Sequence, residues 1–435
     1  MANSRKSNLS LNAIQRIGVA VSGGLDSVVL LDTVCKSVKQ NAQCNTEVWV
    51  LHIHHGLQKP ADQWLEFCEK LAKKYQVHFD FRLLHFHDRS MGNIEARARA
   101  GRYEALTELC AEHAIDDLLL AHHQNDQAET ILLQLLRGSG VAGLSGMPTE
   151  RINTIDGHSI SLWRPLLGHS RADLEAYAKQ HKLKWVEDPS NQSVAYRRNA
   201  IRKQIIPRLE KIQPEAVANL ARSAELFAQS QKLLDRLAIL DGKEIIQDAQ
   251  LQVPLLLNLA KQDLPAANNV MRFWLKSNGL AMPSQERLES WWRDLRKVKA
   301  DSKLEWMHDQ KKIYLWRHNL QVVNEGSGRW ELRSLPAHSK LRGLSAAWVK
   351  QAQDSNQLTF KVRQGSEKIQ IRPNTPRKTL KNLFQEADVP PWERHAPLLY
   401  INDELVAVAG VGLSYPHLLA SGKRILPEWV QNPVK

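Results

Sequence analysis

The stretch Val21-Ser22-Gly23-Gly24-Leu25-Asp26-Ser27-Val28-Val29-Leu30-Leu31-Asp32-Thr33-Val34 decides how the first half of this 435-residue chain is read. Just upstream, Ile17-Gly18-Val19-Ala20-Val21 is a short apolar run of the kind that forms a buried strand. Just downstream, Ser27–Val38 has the apolar spacing of an amphipathic helix. The two glycines therefore stand at a strand-to-helix turn. Glycine tolerates positive φ and lets a backbone approach a ligand closely. The N–H groups of Gly23, Gly24 and Leu25, with those of the opening helix turn, can converge on one anion. Ser22 and Ser27 add hydroxyl donors. An aspartate in such a loop repels an anion unless a cation lies between, so Asp26 is a candidate Mg2+ ligand. Capping the helix is its plainer role. The chain has no G-x-x-x-x-G-K-S/T motif, which excludes a Walker-type loop.

Outward from this turn, apolar runs recur at Val48–Ile53, Val77–Leu84 and Leu118–Ala121. Amphipathic stretches, Asp62–Tyr75 and Ile94–His113, lie between them. This rhythm predicts an α/β fold, a doubly wound and mostly parallel sheet with helices on both faces. Ligands of such sheets bind at the carboxyl ends of the strands. Residues 208–300 read as mostly helical, for example Ala216–Leu240. Around residues 303–323 the period changes: Leu304 and Trp306, then Ile313 and Leu315, alternate about Asp309-Gln310, which predicts a hairpin. Asn324-Glu325-Gly326-Ser327-Gly328 reads as a linker. The last hundred residues mix short strands, Pro-rich turns and one basic helix, a small α+β domain. The length exceeds one compact core. The expected domains are 1–212, 213–328 and 329–435.

The formal net charge is +13, with 59 Lys and Arg against 46 Asp and Glu. This excess suggests a polyanionic partner, most simply nucleic acid. A merely basic surface is the bland alternative. No apolar run approaches the roughly 18 residues that span a bilayer, so no membrane partner is expected. Met1–Arg16 lacks the apolar segment of a secretory leader, and the expected location is cytoplasmic. Cys35, Cys44, Cys68 and Cys110 form no C-x-x-C pair and read as reduced thiols rather than metal ligands.

In His122-His123-Gln124-Asn125-Asp126-Gln127-Ala128-Glu129-Thr130 a strand ends and a helix begins. Asp126 reads as its N-cap. Asp126 and Glu129, three apart, emerge on one side of the first turn, at the same sheet edge as the glycine loop. They are candidates for magnesium or ammonium binding; a cap plus a solvated acid is the alternative. His122 and His123 point to opposite faces if the strand is regular, so they are not a joint metal pair. Gly138-Ser139-Gly140, with Gly143 and Gly146, reads as a helix terminus or a closing loop. Arg97, Arg99 and Arg102 share a predicted helix. Arg197, Arg198, Arg202, Lys203, Arg208 and Lys211 form the densest basic segment of the first half. Lys361, Arg363, Lys368, Arg372, Arg377, Lys378 and Lys381 form a second one. Two such clusters, far apart in sequence, suit an extended polyanion; phosphate contacts there would make binding salt-dependent. Solvated charged faces are the alternative for each.

Ser22–Ser27 resembles the PP-loop of N-type ATP pyrophosphatases. That resemblance implies that ATP is cleaved to AMP and pyrophosphate, with the loop on the pyrophosphate and Mg2+ near Asp26. Four further stretches narrow it: LHIHHGLQ (51–58), NIEARARAGRYEAL (93–106), AHHQNDQAETILLQLLRGSGVAGLSGM (121–147) and EDPSNQSVAYRRNAIRKQIIP (187–207). Together they are similar to tRNA(Ile)-lysidine synthetases. IRPNTPRKTLKNLFQEADVPPWERHAPLLY (371–400) resembles that family's terminal domain. Gln58 departs from the pattern, standing where many relatives carry a basic residue. The resemblance implies that ATP adenylates the C2 oxygen of the wobble cytidine of an isoleucine tRNA with a CAU anticodon. The ε-amine of free L-lysine then displaces AMP, which switches codon and amino-acid identity. It implies a catalytic role for Asp26, with ATP on Ser22, Gly23, Gly24, Leu25, Asp26 and Ser27, and its lysine substrate gives either Glu129 or Asp126 a catalytic purpose, holding the ammonium and then taking a proton. It implies tRNA contacts at Arg97, Arg102, Arg197, Arg198, Arg202, Arg372, Arg377 and Lys378. A homodimer stays open.

Three rivals stand beside this reading. A tRNA thiolase of the same superfamily commonly needs paired cysteines. A small-molecule amidoligase needs a glutaminase, and Met1 is followed by Ala2, not by a nucleophilic cysteine. A non-catalytic RNA-binding protein would not need an intact glycine loop.

Overall fold

The computed structural model describes residues 14–40, 45–54, 61–84, 94–155, 158–187, 193, 196–298, 304–323, 328–336 and 338–431. Gln58 and residues 324–327 of the expected linker lie outside them. The chain forms two compact units, 1–233 and 234–435.

The first unit opens with β1 (Gln15–Ala20), α1 (Leu25–Gln40), β2 (Thr46–His54), α2 (Ala61–Tyr75), β3 (His78–Leu83), α3 (Ile94–Glu112) and β4 (Asp117–Leu119). It continues with α4 (Gln124–Leu135), α5 (Val141–Leu144), β5 (Glu150–Ile155), β6 (His158–Trp163) and α6 (Arg171–Gln180). The strand order is β3-β2-β1-β4-β6-β5. All neighbours run parallel except the edge strand β5, which is antiparallel to β6. Strand period 2 divides the core into two layers. Val19, Val48 and Val50 face α1, α2 and α6, with Leu30, Leu31, Leu71 and Leu174. Leu51 and Ile53 face the other way, onto Leu106, Leu109 and Cys110 of α3. Each large side chain so buried contributes about 1.5–3 kcal/mol. Strand order reverses between β1 and β4, so the loops leaving these neighbours diverge and open a crevice at their carboxyl ends.

After α6, α7 (Arg197–Ala200), a π-helical turn (Ile201–Ile205) and α8 (Ile206–Ile212) follow. They pack Ile201 and Ile206 against Ala128 of α4. Helix α9 (Ala216–Asp241) runs from the first unit into the second.

The second unit is less helical at its start than expected. β7 (Ile246–Gln247), β8 (Gln250–Gln252), α10 (Val253–Gln262), α11 (Leu264–Ser277) and α12 (Gln285–Leu295) are followed by β9 (Leu304–His308), β10 (Lys311–Trp316) and β11 (Asn319–Val323). The strands form one sheet, β7-β8-β11-β10-β9. The expected hairpin about Asp309-Gln310 is β9–β10. Both corner residues have positive φ, 50° and 61°, the twist a two-residue hairpin needs. Trp274, Trp291 and Trp306 anchor the core, the last two stacked at 4.8 Å.

The remainder comprises β12 (Gly328–Leu335), β13 (Gly343–Ser345), α13 (Ala346–Asp354), β14 (Leu358–Lys361), β15 (Lys368–Ile369) and β16 (Lys378–Thr379). Then come α14 (Leu380–Glu386), β17 (Leu398–Ile401), β18 (Glu404–Val408), β19 (Gly412–Leu413), β20 (Leu418–Leu419) and β21 (Arg424–Gln431). Two helices stand where one was expected, because Ser345 caps α13 through Trp348 N–H. Arg424 is buried, 2% exposed, and donates to the carbonyls of Leu341, Ala420, Ser339 and Gly422. No helix among the described residues is long and apolar enough to cross a membrane.

Candidate active site

The turn after β1 is drawn tight by its own hydroxyls. Ser22 N–H donates to Ser27 Oγ (3.2 Å), and Ser27 Oγ donates to the Gly24 carbonyl (2.9 Å). Gly23 has φ +87°, and a Cβ there would lie 2.8 Å from Val186 Cγ2. Its carbonyl accepts from Val186 N–H at 2.9 Å. Only glycine meets both demands without strain. Below the loop, buried His52 donates from Nδ1 to the Val21 carbonyl (2.8 Å), and its burial pushes the imidazole pKa down. The first N–H groups of α1, including Leu25 and Asp26, have no acceptor within the helix and face the crevice mouth.

Asp26 sits in the first turn of α1. Arg171 Nη1 donates to both of its oxygens, at 2.8 and 2.9 Å. Burial raises the Asp26 carboxyl above its ordinary range, overriding the nearby His123 and Arg171 charges. Arg171 opens α6, capped by Ser170. Its backbone N–H donates to Asn125 Oδ1 (2.9 Å), which ties the starts of α4 and α6 together.

On α4, the N-cap is His123 and not Asp126. The helix starts earlier because Gln124 N–H is satisfied by the His169 carbonyl. Asp126 caps it from within, accepting from His123 N–H at 3.1 Å. The imidazole Nε2 of buried His123 lies between two carboxylates, 3.7 Å from Asp26 and 3.5 Å from Asp126. Burial pushes the Asp126 carboxyl up, but His123, Arg198 and His122 outweigh it and hold it below the ordinary range. Burial pushes the His122 imidazole down to about 3. Nδ1 of each histidine is buried and finds no hydrogen-bond partner among the described residues.

Glu129 is fully buried, 0% exposed, yet it is not solitary. Arg198 Nε donates to one oxygen (2.6 Å) and Arg202 Nε to the other (2.5 Å). The same two guanidiniums reach Asp126 Oδ1 at 2.9 and 3.3 Å. These charge-assisted bonds are the strong kind, and they offset the cost of burying the carboxylate. The pairing spans 69 and 73 residues of chain.

The structure thus gathers Ser22–Ser27, Asp26, Asp126, Glu129, Arg198 and Arg202 on two adjoining loops and the helix turn beside them. Arg198 and Arg202 point into this group. Arg197 is exposed at the start of α7, and Arg102 is exposed on α3. The side chain of Arg97 lies outside the described residues. In the second unit Arg372 and Arg377 are exposed, and Lys378 pairs with Glu386 (2.7 Å). Gly138 ends α4 with φ +69°, and Met147 is pinned to α4 by both ends of the Gln127 amide. Sequence reasoning missed Arg171 and the bridging place of His123. A signal existed for Arg171: Ser170-Arg171-Ala172-Asp173 is a capping pattern, and a helix opening after a parallel strand faces the ligand edge.

Comparison with known proteins agrees along most of the chain. A PP-loop domain model matches residues 2–209, a TilS substrate binding domain model residues 256–321, and a TilS substrate C-terminal domain model residues 358–424. The tRNA(Ile)-lysidine synthase of Nitrosomonas europaea is 34% identical over 94% of this chain and 90% of its own length. That of Burkholderia pseudomallei is 34% identical over 92% and 89%. That of Ralstonia nicotianae is 36% identical over 92% and 89%.

Proposed function

This chain belongs to the tRNA(Ile)-lysidine synthase family, and from that premise we propose how its amino-terminal unit makes lysidine. The protein is a ligase that forms lysidine on tRNA(Ile), using ATP bound at its PP-loop. The observation that carries the residue assignments is the meeting of Asp26 and Asp126 on either side of His123, at the β1/β4 crevice.

The Ser22–Ser27 turn binds the leaving pyrophosphate through the N–H groups of Gly23, Gly24 and the first turn of α1, with Ser22 and Ser27 supplying hydroxyls. The C2 oxygen of the wobble cytidine attacks the α-phosphorus, and the bond to the β-phosphate breaks. The ε-amine of free lysine then bonds to C2, and AMP leaves with the oxygen. Magnesium suits the hard oxygen donors here, since it binds one or two carboxylates plus substrate phosphates. Asp26 would hold it, and the ion would neutralise charge on the pyrophosphate.

The lysine amine has an ordinary pKa of about 10.4, so freeing its proton at pH 7 costs about 4–5 kcal/mol. Asp126 holds the ammonium and accepts the proton it gives up as the amine bonds to C2. It is partly exposed, and its depressed carboxyl pKa favours the charged form that a cation needs. Glu129 is a positioning residue: it is 0% exposed, out of reach of substrate, and it fixes Arg198 and Arg202 beside Asp126. Residues 1–212 carry the chemistry. Residues 213–328 and 329–435 hold the tRNA, with Arg372, Arg377 and Lys378 on the second grip and Arg97, Arg102 and Arg197 on the first. The working location is the cytoplasm, where tRNA and free lysine meet.

The test uses purified protein, ATP, Mg2+, radiolabelled lysine and bulk bacterial tRNA. Label in RNA that survives mild alkaline deacylation, and that depends on ATP, is the expected result. Release of AMP and pyrophosphate on tRNA without such label would replace lysine as the nucleophile. Neither signal from a folded protein would overturn the assignment.

A further inference from the structure

Helix α7 and the π-helical turn have two faces. One carries Arg198 and Arg202 inward to the carboxylates. The other carries Arg197, Ile201 and Ile205, each four residues apart, against the far end of α4. Between them lies a groove of about 260 Å³, walled on the α4 side by Leu133, Leu136 and Arg137.

Three features mark this groove as more than a packing seam. Its rim exposes large apolar side chains: Leu136 is 79% exposed and Ile205 40%. Such a patch costs solvation in a protein otherwise rich in surface charge. Exposed Arg137 and Arg197 line it, and no ion pair to a carboxylate is seen for either among the described residues. Exposed Tyr196 immediately precedes α7. An apolar floor between two guanidiniums is complementary to a base whose flanking phosphates are charged, and not to an apolar peptide. The groove also shares α4, and the segment that follows α7, with the site already described. Leu136 lies two turns beyond Glu129 on the same helix, about 10 Å along its axis. That is the reach of a neighbouring nucleotide in an unstacked strand.

We propose that this groove seats an unstacked nucleobase adjoining the wobble cytidine, with Leu133, Leu136 and Ile205 against its face and Arg137 and Arg197 on the adjacent phosphates. The proposal rests on the tRNA reading above. It makes the groove a determinant of which anticodon loops are accepted: a base held here keeps the cytidine turned out toward Asp26 and Asp126. A π-helical turn at this point is consistent with a functional site, where such turns concentrate.

The test pairs Leu136→Ala with Arg137→Gln, both at exposed positions where truncation spares the fold. Lysidine formation is measured against tRNA concentration at saturating ATP and lysine. Binding is followed by fluorescence of anticodon stem-loops carrying 2-aminopurine next to the wobble cytidine. Leu136→Ala is expected to raise KM for tRNA roughly tenfold, leave kcat within about twofold, and diminish the fluorescence change on binding. Arg137→Gln is expected to weaken binding and reduce its salt slope by about one. An unchanged KM in both variants, or an unchanged fluorescence response in Leu136→Ala, overturns the groove assignment. If the unaltered protein makes no lysidine, the tRNA reading itself has failed, which is a separate result from either.

Discussion

Glu129 and Arg424 are both charged and both almost wholly buried, at 0% and 2% exposure, but they are satisfied in opposite ways. Glu129 is held by the guanidiniums of Arg198 and Arg202. Arg424 donates to four backbone carbonyls at bends that other forces have already placed. Side chains can exchange partners when a charged ligand arrives; backbone carbonyls in a packed sheet cannot. The first arrangement therefore suits a site whose charges must respond to bound substrates. The second suits a knot that keeps one loop closed.

The largest effect should come from Glu129→Gln. The variant keeps shape and loses charge, so Arg198 and Arg202 are no longer held in place beside Asp126. Lysidine formation is expected to fall roughly a thousandfold, about 4 kcal/mol of lost transition-state stabilisation. Partly exposed guanidiniums can turn to solvent, so thermal unfolding should move far less. Arg424→Met should do the reverse. It leaves several buried carbonyls without donors and is expected to cost about 3 kcal/mol in denaturant unfolding of the second unit. Its kcat with saturating tRNA should stay close to that of the parent. If Glu129→Gln loses stability as heavily as Arg424→Met and keeps its activity, the contrast is wrong.

What was legible in the sequence follows the same division. Local rules suffice for local structure. The glycine loop, the parallel strands and the Asp309-Gln310 hairpin stand where period and turn chemistry put them, within a residue or two. The β5–β6 hairpin was missed, although Asp156-Gly157 is a hairpin dipeptide and Ile160 and Leu162 alternate with polar residues on β6. The small sheet in the middle of the chain was missed in part because β7 and β8 are too short to show a period. The partners of the charges were not legible at all. Arg171 meets Asp26 across 145 residues, and nothing in either neighbourhood announces the other. The basic run 197–211 reads as a phosphate grip, yet two of its members face carboxylates 69 to 76 residues away.

Asp26 sharpens the comparison because its charge is costly where it stands. Burial dominates its environment and raises its carboxyl pKa. A carboxyl with a folded pKa above its unfolded value favours the folded state below the unfolded pKa, and that contribution is lost as pH rises through the folded pKa. Asp26→Asn should thus be slightly more stable than the parent at pH 7–8, by no more than about 1 kcal/mol. The advantage should vanish below pH 4. Activity should be lost at every pH. A variant less stable than the parent at pH 8 would mean that the Arg171 pair outweighs desolvation, and Asp26 would join Arg424 as an architectural charge.

The smallest effect is expected at a third buried charge, and it tests whether carboxylate partners alone mark function. Asp32 is 4% exposed and sits on α1 with Asp26, but two turns further in. It accepts from Tyr75 Oη and Tyr177 Oη, both at 2.7 Å, and from Lys36 Nζ at 2.7 Å. Burial pushes its carboxyl up, and these three donors more than reverse the shift. The donors come from α1, α2 and α6, so Asp32 ties together the three helices that cover one face of the sheet. Its partners are side chains, as at Glu129, yet it lies away from the carboxyl ends of the strands, where a ligand could compete for them. Tyr177→Phe removes one donor and leaves two. It should cost about 1 kcal/mol of stability and change KM for ATP, lysine and tRNA by less than about twofold. A larger fall in activity would mean that helix α6, which carries Arg171 to Asp26, transmits strain at Asp32 to the catalytic loop. Place in the fold, and not partner type, would then no longer separate the charges that work from the charges that hold.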